Sequence, residues 1–135
     1  FFIQFGYLEE TKEDIDQTIK MIKELLPDDI GVSVSYPLPG TTFYEKVKDQ
    51  LHLKANWKDS DDLTMLFKGS YSSTFYKKLQ RYVHKEYRKS QGYSNLKNFN
   101  FSELKSILKL FYYTPSAFYD KLILNKLAQK EVLNK

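Results

Sequence analysis

The chain opens with two short apolar runs separated by an amphipathic stretch. FFIQFGY, residues 1–7, and DDIGVSVSY, residues 28–36, have the length and the aromatic or β-branched content of strands. The stretch between the two strands repeats its apolar residues with the helical period, at Ile15, Ile19, Ile22 and Leu26, and is predicted to be a helix. A second helix is predicted after the second strand, over residues 41–51. The sequence therefore predicts the order strand, helix, strand, helix.

Local signals define the ends of the first helix. Thr11 is the predicted N-cap, Asp14 stands where a capping-box acid reaches back, and Pro27 ends the helix. A helical connection between two strands of one sheet is nearly always a right-handed crossover. The two strands are therefore predicted to lie parallel.

Each predicted strand has two unlike faces. The apolar faces are suited to packing beneath helices. The opposite faces, which carry small or partly polar side chains, are suited to a barrel interior or a cleft. The apolar set is Phe1, Ile3, Phe5, Ile30, Val32 and Val34; the opposite set is Phe2, Gln4, Gly6, Gly31, Ser33 and Ser35.

The sequence predicts two parts: an α/β part over residues 1–52 and a mostly helical extension over residues 53–135. The extension begins with a polar loop and a short extended piece over residues 63–67. An amphipathic helix is predicted over residues 73–90, with apolar positions at Phe75, Leu79, Val83 and Tyr87.

The predicted C-terminal helices are separated by local signals. Gly92 and Asn95 indicate a break after the amphipathic helix. Asn100 and Glu103 form a candidate capping box for a helix over residues 101–113. Pro115 is predicted at the first position of the last helix.

Composition and charge narrow the classes of protein. The chain has 135 residues, of which 41% are hydrophobic, so it is too apolar to be disordered. A formal net charge of +4 favours a polyanionic partner only weakly, and we expect nucleic acid not to be the partner. Since no apolar run approaches about 20 residues and no signal peptide is apparent, we expect no membrane span and a cytoplasmic location.

The chain contains no cysteine, which excludes disulfides and thiolate metal sites within it. His52 and His84 have no ligand pattern around them and are interpreted as ordinary surface or interface residues. An acidic cluster lacks the glycine and the terminal glutamate of a calcium loop, so a solvated turn is the simpler interpretation. That cluster is Asp59, Asp61 and Asp62, close to the single Trp57.

Two segments resemble motifs of one enzyme family. GYLEETKED, residues 6–14, resembles a G-x-P-G-E-T-x-E-D corner, and PLPGTTFYE, residues 37–45, resembles P-x-P-G-T-x-x-Y-E. Both motifs belong to the second half of the radical SAM barrel, in the group with an N-terminal cobalamin-binding domain. That group includes enzymes similar to the anaerobic magnesium-protoporphyrin IX monomethyl ester cyclase. NWKDSDDLTMLFKGSY, residues 56–71, resembles the segment after the barrel, so the resemblance extends to about residue 90.

The resemblance implies an α/β fold in which residues 1–52 form a βαβα half of a partial parallel (β/α) barrel. The parent enzyme would cleave S-adenosylmethionine reductively at a 4Fe–4S cluster and start radical chemistry on a small organic substrate, with cobalamin as a further candidate cofactor. The chain starts at Phe1, without methionine, so we expect a missing N-terminal half of the barrel as its partner. The implied cofactor-side residues are Gln4, Gly6, Glu10, Ser33, Ser35, Tyr36 and Pro37.

The chain departs from the family pattern at two places. Leu8 and Glu9 stand where the family has proline and glycine, and a positive φ at that glycine would strain Glu9. The family's C-x-x-x-C-x-x-C loop is absent, so this chain by itself is expected to hold no cluster and to be inactive. Glu10, Thr11 and Asp14 are also explained as a helix cap.

A second hypothesis is a stand-alone α/β binding module whose basic helix contacts an acidic partner or RNA. The alternative interpretation of that helix is an ordinary solvated face. Its basic residues are Lys77, Lys78, Arg81, Lys85, Arg88 and Lys89.

Overall fold

A computed structural model describes residues 1–51, 63, 65–98 and 104–133. It shows a mixed α/β protein that is mostly helical, with one two-stranded sheet. The elements are β1 (Phe2–Phe5), α1 (Lys12–Leu25), β2 (Gly31–Val34), α2 (Thr42–Val47) with a 3-10 turn at Lys48–Gln50, α3 (Ser73–Lys97), α4 (Leu104–Leu108) and α5 (Leu110–Leu133).

The sheet confirms the predicted parallel pairing. Gln4 is the register partner of Ser33, and Phe2 is the partner of Gly31. The pairing continues beyond the strand ends, where the Gly31 N–H donates to the Phe1 carbonyl at 2.8 Å and the Ser35 N–H to the Phe5 carbonyl at 2.6 Å. The predicted strand–helix–strand–helix order is therefore present over residues 1–47.

The capping signals of α1 act as predicted. The Thr11 hydroxyl accepts a hydrogen bond from the Asp14 N–H, and the Asp14 carboxylate accepts one from the Thr11 N–H. The helix ends at Leu25, and Leu26 adopts a left-handed conformation as the C-cap before Pro27. Leu26 therefore closes the helix instead of extending its apolar face.

The predicted break at Gly92 and Asn95 is wrong, because α3 continues through both residues to Lys97. Its start at Ser73 is confirmed, and Ser72 is the N-cap. A single glycine costs a helix interior only about 1 kcal/mol relative to alanine. Gly92 is buried in α3, where packing opposes a break.

The predicted first position of Pro115 is also wrong, because Pro115 lies inside α5. The five residues before it, 110–114, are already helical, although only Leu110 among them is a strong helix former. A prolyl residue near a helix start removes one hydrogen bond, which the following turns outweigh. The candidate capping box at Asn100 and Glu103 lies outside the described residues.

The main core lies between one face of the sheet and helices α1, α3 and α5. The central side chains of α3 are fully buried, and the Tyr87 hydroxyl donates to the backbone carbonyls of Pro27 and Asp28 at 2.6 and 2.8 Å. This contact fixes the start of β2 against α3. The buried members are Ile3, Phe5, Ile15, Ile19, Ile22, Ile30, Tyr71, Phe75, Tyr76, Leu79, Tyr82, Val83, Tyr87, Ala117, Leu124 and Ala128.

A buried ion pair connects α3 to α5. Lys85 Nζ lies 2.6 Å from Asp120 Oδ2, and the Asp120 side chain is only 1% exposed. The core thus combines residues from both predicted parts of the chain, while the boundary at residue 52 stays a prediction. Among the described helices, none is both long and apolar enough to cross a bilayer.

A smaller core joins α2 to the segment before α3. Phe43 and Val47 pack with Phe67, and the rings of Phe43 and Phe67 meet edge to face at 5.1 Å. Within residues 63–67, the described positions form a turn and bends, so the extended piece predicted there contributes no strand from those positions.

Candidate functional site

The predicted cofactor-side residues gather around the carboxyl end of the parallel pair. Because both strands run in the same direction, the segments after Phe5 and Val34 leave the sheet at one edge. Gly6 and Glu10 follow β1. The residues after β2 are Ser35, Tyr36 and Pro37.

One face of the sheet is open among the described residues. Phe2 is 95% exposed, Gln4 is exposed, and Ser33 is half-buried. A Cβ built on Gly31 would lie 3.1 Å from the Phe2 ring, which places that ring directly over the glycine. The opposite face, with Ile3 and Phe5, is buried beneath helices. The two strands therefore separate an apolar face from a small and polar one.

Gln4 and Ser33 form the accessible polar pair on that face. As direct register partners they have neighbouring Cα atoms, and both lie on the face that the core leaves uncovered. An amide and a hydroxyl can each donate and accept hydrogen bonds. This pair can therefore bind a polar ligand that lies across both strands.

Glu10 is held by two donors at the end of β1. Its Oε2 accepts the Gly6 N–H at 2.9 Å and the Tyr76 hydroxyl at 3.1 Å. Thr11 and Asp14 form the helix cap, whereas Glu10 joins β1 to α3. Glu10 has a structural role here, and its carboxylate is oriented by groups on two different elements.

Burial dominates the electrostatics of this cluster. Desolvation raises the pKa of Glu10 above its ordinary value, although the hydrogen bonds from Gly6 and Tyr76 oppose the shift. Burial and the neighbouring Glu10 charge raise the pKa of Tyr76, so its hydroxyl stays protonated as a donor. In this hydrogen bond Tyr76 is therefore the donor and Glu10 is the acceptor.

Tyr76 was not among the predicted site residues. Its spacing from Leu79 fits the apolar stripe of α3 and could have identified it as a core residue. Its contact with Glu10, which is 66 residues away, depends on how α3 lies across the sheet. No local pattern in the sequence specifies the position of α3 relative to the sheet.

Gly6 is required by the backbone and by packing. Its φ is +82°, in the left-handed region that glycine favours. A Cβ there would lie 3.0 Å from the Met65 sulfur and 3.4 Å from the Tyr76 ring. The space beside Gly6, predicted to admit a ligand, is filled by side chains of this chain.

Glu9 adopts a left-handed backbone conformation. Its φ is +64°, which a non-glycine residue adopts at a cost of about 1–2 kcal/mol. The expected strain is therefore present at Glu9.

The corner after β2 is organised by its own backbone and by a helix cap. Ser35 and Pro37 are buried, and Tyr36 is half-buried. The Thr41 hydroxyl accepts the Tyr44 N–H at 3.1 Å and donates to the Leu38 carbonyl at 2.7 Å. This hydroxyl therefore serves the start of α2.

Among the histidines and the acidic cluster, His84 alone lies within the described residues. His84 lies half-buried on α3, where burial and then the nearby Arg88 lower its pKa. His52 and the acidic cluster with Trp57 lie outside the described residues. Within the described ranges, histidine and acidic side chains form no group of three that could hold a metal ion.

Comparison with known proteins returns no relative. No family model, no curated protein and no solved structure matches the chain. Any assignment of function therefore depends on the motifs and on the geometry described above.

We predict that Gly6→Ala is more destabilising than Gly40→Ala. Both glycines have a left-handed φ, +82° and +84°, which costs alanine about 1–2 kcal/mol. Only at Gly6 does the new methyl group also meet Met65 and Tyr76, which adds about 1–3 kcal/mol of overpacking. Urea unfolding of the two variants measures the difference.

Gly40 is the matched control, because a methyl group added there would have no heavy atom within 4 Å. Equal losses in the two variants would contradict the packing of Met65 and Tyr76 against Gly6.

A second prediction concerns pH. Because the folded-state pKa of Glu10 is raised, the folded chain binds more protons than the unfolded chain between the ordinary value of 4.5 and the raised value. The Glu10 contribution to the free energy of unfolding is fully present below this window and is lost as pH rises through it.

Glu10→Gln removes this titration. The free energy of unfolding of the wild type minus that of the variant should decrease as pH rises through the window, as measured by urea unfolding at a series of pH values. A difference that increases with pH would mean that the folded state lowers the pKa of Glu10.

Proposed function

We propose that this chain forms part of the catalytic barrel of a radical SAM enzyme of the cobalamin-binding-domain group. The observation that supports the proposal best is the open polar face of a parallel strand pair, with Gln4 and Ser33 in register on it. Ligands of parallel α/β barrels lie at the carboxyl ends of the strands. The two motifs occupy that end.

The proposed barrel would extend the sheet beyond the two strands. A parallel sheet is normally covered on both faces, and an isolated strand pair is only marginally stable. In the proposal, the face with Phe2 and Gln4 points to the interior of the barrel, and further strands would pair with the sheet edges. Another part of the proposed parent enzyme would supply those strands.

The exposed aromatic side chains of α5 support an interface with further protein. Large apolar side chains are exposed along α5, and an exposed apolar patch favours contact with another element. The exposed large apolar members are Phe111, Tyr112, Phe118, Tyr119, Leu122 and Leu133.

The residues of this chain fit S-adenosylmethionine but do not fit the 4Fe–4S cluster. Gln4 and Ser33 can donate to and accept from the polar groups of S-adenosylmethionine, whereas the space over the neighbouring Gly31 is filled by the Phe2 ring. No cysteine is present to bind the 4Fe–4S cluster. In the proposal the parent supplies the cluster, and this chain positions the cofactor and the substrate.

The corner residues have a positioning role in this proposal. Glu10 and Tyr76 fix the end of β1, and the buried Ser35 and Pro37 fix the end of β2. A wall fixed at both strand ends can hold a ligand without reorganising. Cobalamin, as a cofactor of the parent, is proposed from the resemblance alone.

The alternative of a stand-alone module with a basic helix has less support. Lys85 is paired with Asp120, Arg88 lies 3.7 Å from Asp29, and Lys89 is paired with Glu86. Of the six basic residues, Lys77, Lys78 and Arg81 have no ion pair within the described part of the chain, so their unpaired positive charge is confined to the first half of the helix. RNA binding needs a longer track of free basic groups.

The genomic sequence upstream of the Phe1 codon provides the first test. The proposal expects an open reading frame that encodes a C-x-x-x-C-x-x-C loop within one half-barrel. A stop codon or a start codon directly before Phe1, in frame, would contradict it.

The reconstituted parent provides the second test. Gln4→Ala and Ser33→Ala should each raise the KM for S-adenosylmethionine by about two- to tenfold, the effect of one lost hydrogen bond, in an assay of 5′-deoxyadenosine formation. Lys46→Ala, at an exposed position of α2, is the control. Unchanged KM values in both site variants would contradict the assignment of the polar face.

A further inference from the structure

A cavity of about 690 Å³ lies between the C-terminal halves of α1 and α3 and the start of α5. Its walls differ from the residues assigned to the cofactor. Four lysines line it: Lys20 and Lys23 from α1, and Lys89 and Lys97 from α3. The other lining residues are Glu24, Leu26, Ser90, Tyr93, Ser94, Leu110 and Thr114.

A buried carboxylate fixes two of the lysines. Glu86, whose side chain is 7% exposed, lies 3.4 Å from Lys23 Nζ and 2.5 Å from Lys89 Nζ. One carboxylate thus holds two ammonium groups that come from different helices. Side chains that are already held in place lose less conformational entropy when a ligand binds.

The charges around the cavity do not balance. Lys20 Nζ lies 3.8 Å from Glu24 Oε1, and Glu86 is paired with Lys23 and Lys89. Among the described residues, Glu24 and Glu86 are thus the two carboxylates paired with the four lysines that line the cavity. Two positive charges remain, and Lys97 is exposed in the last turn of α3. A phosphate monoester carries about −1.5 to −2 charges at neutral pH.

We propose that this cavity binds a small ligand with one phosphate group and an aromatic ring. The ammonium groups bind the phosphate, and the hydroxyls of Ser90, Ser94 and Thr114 are available as further donors. The ring lies against the apolar part of the wall, which Tyr93 and Leu110 form.

The charge pattern favours a single phosphate over a nucleic acid. Nucleic acids need a track of free basic groups along their backbone. Lys77, Lys78 and Arg81 have no ion pair with the described residues but lie in the first half of α3, outside the cavity. Lys85 and Arg88, which lie between them and the cavity along the helix, are paired with Asp120 and Asp29 and interrupt the track. The site is independent of the proposed cofactor wall, and either proposal can fail alone.

Titration of the ¹⁵N-labelled full chain with phenyl phosphate tests the proposal. We expect saturable amide shifts around Lys23, Lys89, Tyr93 and Leu110, with a Kd on the order of 1 mM or below. Inorganic phosphate should bind the same residues more weakly because it lacks the ring, and phenol should bind more weakly because it lacks the charge. Added salt should weaken the binding of both phosphates.

Three variants locate the charge. Lys89→Gln and Lys97→Gln should each weaken phenyl phosphate binding by about three- to fivefold, the effect of one partly exposed ion pair. Lys97→Gln leaves the Glu86 contacts intact, so it separates ligand binding from helix packing. Lys77→Gln, an exposed position of α3 outside the cavity, should leave the affinity unchanged.

Two results would overturn the proposal. One is the absence of saturable shifts at the cavity with phenyl phosphate, and the other is equal affinity in the wild type, Lys89→Gln and Lys97→Gln. A single-stranded RNA that shifts these residues where phenyl phosphate does not would also overturn it, in favour of a macromolecular partner.

Discussion

Packing of α3 across one face of a parallel strand pair is the constraint on which the rest of this structure depends. Two strands cannot form a stable sheet alone, and a parallel pair has no hairpin to hold it in register. Here α1 connects the strands, and the Tyr87 hydroxyl ties α3 to the start of β2. α3 covers the apolar face, and the described part of the chain leaves the polar face open.

Both ends of the sheet are connected to α3. At the start of β2 the contact comes from Tyr87, and at the end of β1 it comes from Tyr76 through Glu10. A helix of 25 residues is long enough to reach both ends and continue past them. Its last turns then form a wall of the lysine-lined cavity, so one helix connects the two candidate sites.

The part of the fold that was predictable from sequence is the part set by local rules. Period and capping chemistry specified α1, since Thr11 and Asp14 act within one turn, and the crossover rule specified the parallel pairing. The alternation along β1 separated Ile3 from Gln4 correctly. One prediction failed where tertiary packing overrides a local signal, since Gly92 is buried within α3. Another failed at Pro115, where the helix continues on both sides of an exposed proline.

The candidate site was predictable to a similar extent. The motif placed Gly6 and Glu10 at a strand end, but the partner of Glu10 comes from residue 76, and the cavity lysines come from two helices far apart in sequence. Such contacts depend on the path of α3, which no local spacing encodes. The assignment of the polar face to a cofactor is consistent with the geometry and stays a proposal.

The most direct test of the account is thiol accessibility on the two faces of β1. The chain has no cysteine, so Gln4→Cys and Ile3→Cys each create a single thiol. Under native conditions maleimide should label the cysteine at position 4 rapidly and the cysteine at position 3 at least about tenfold more slowly, because Ile3 is buried in the core. Equal rates, or faster labelling at position 3, would contradict the claim that α3 covers the apolar face and leaves the polar face open.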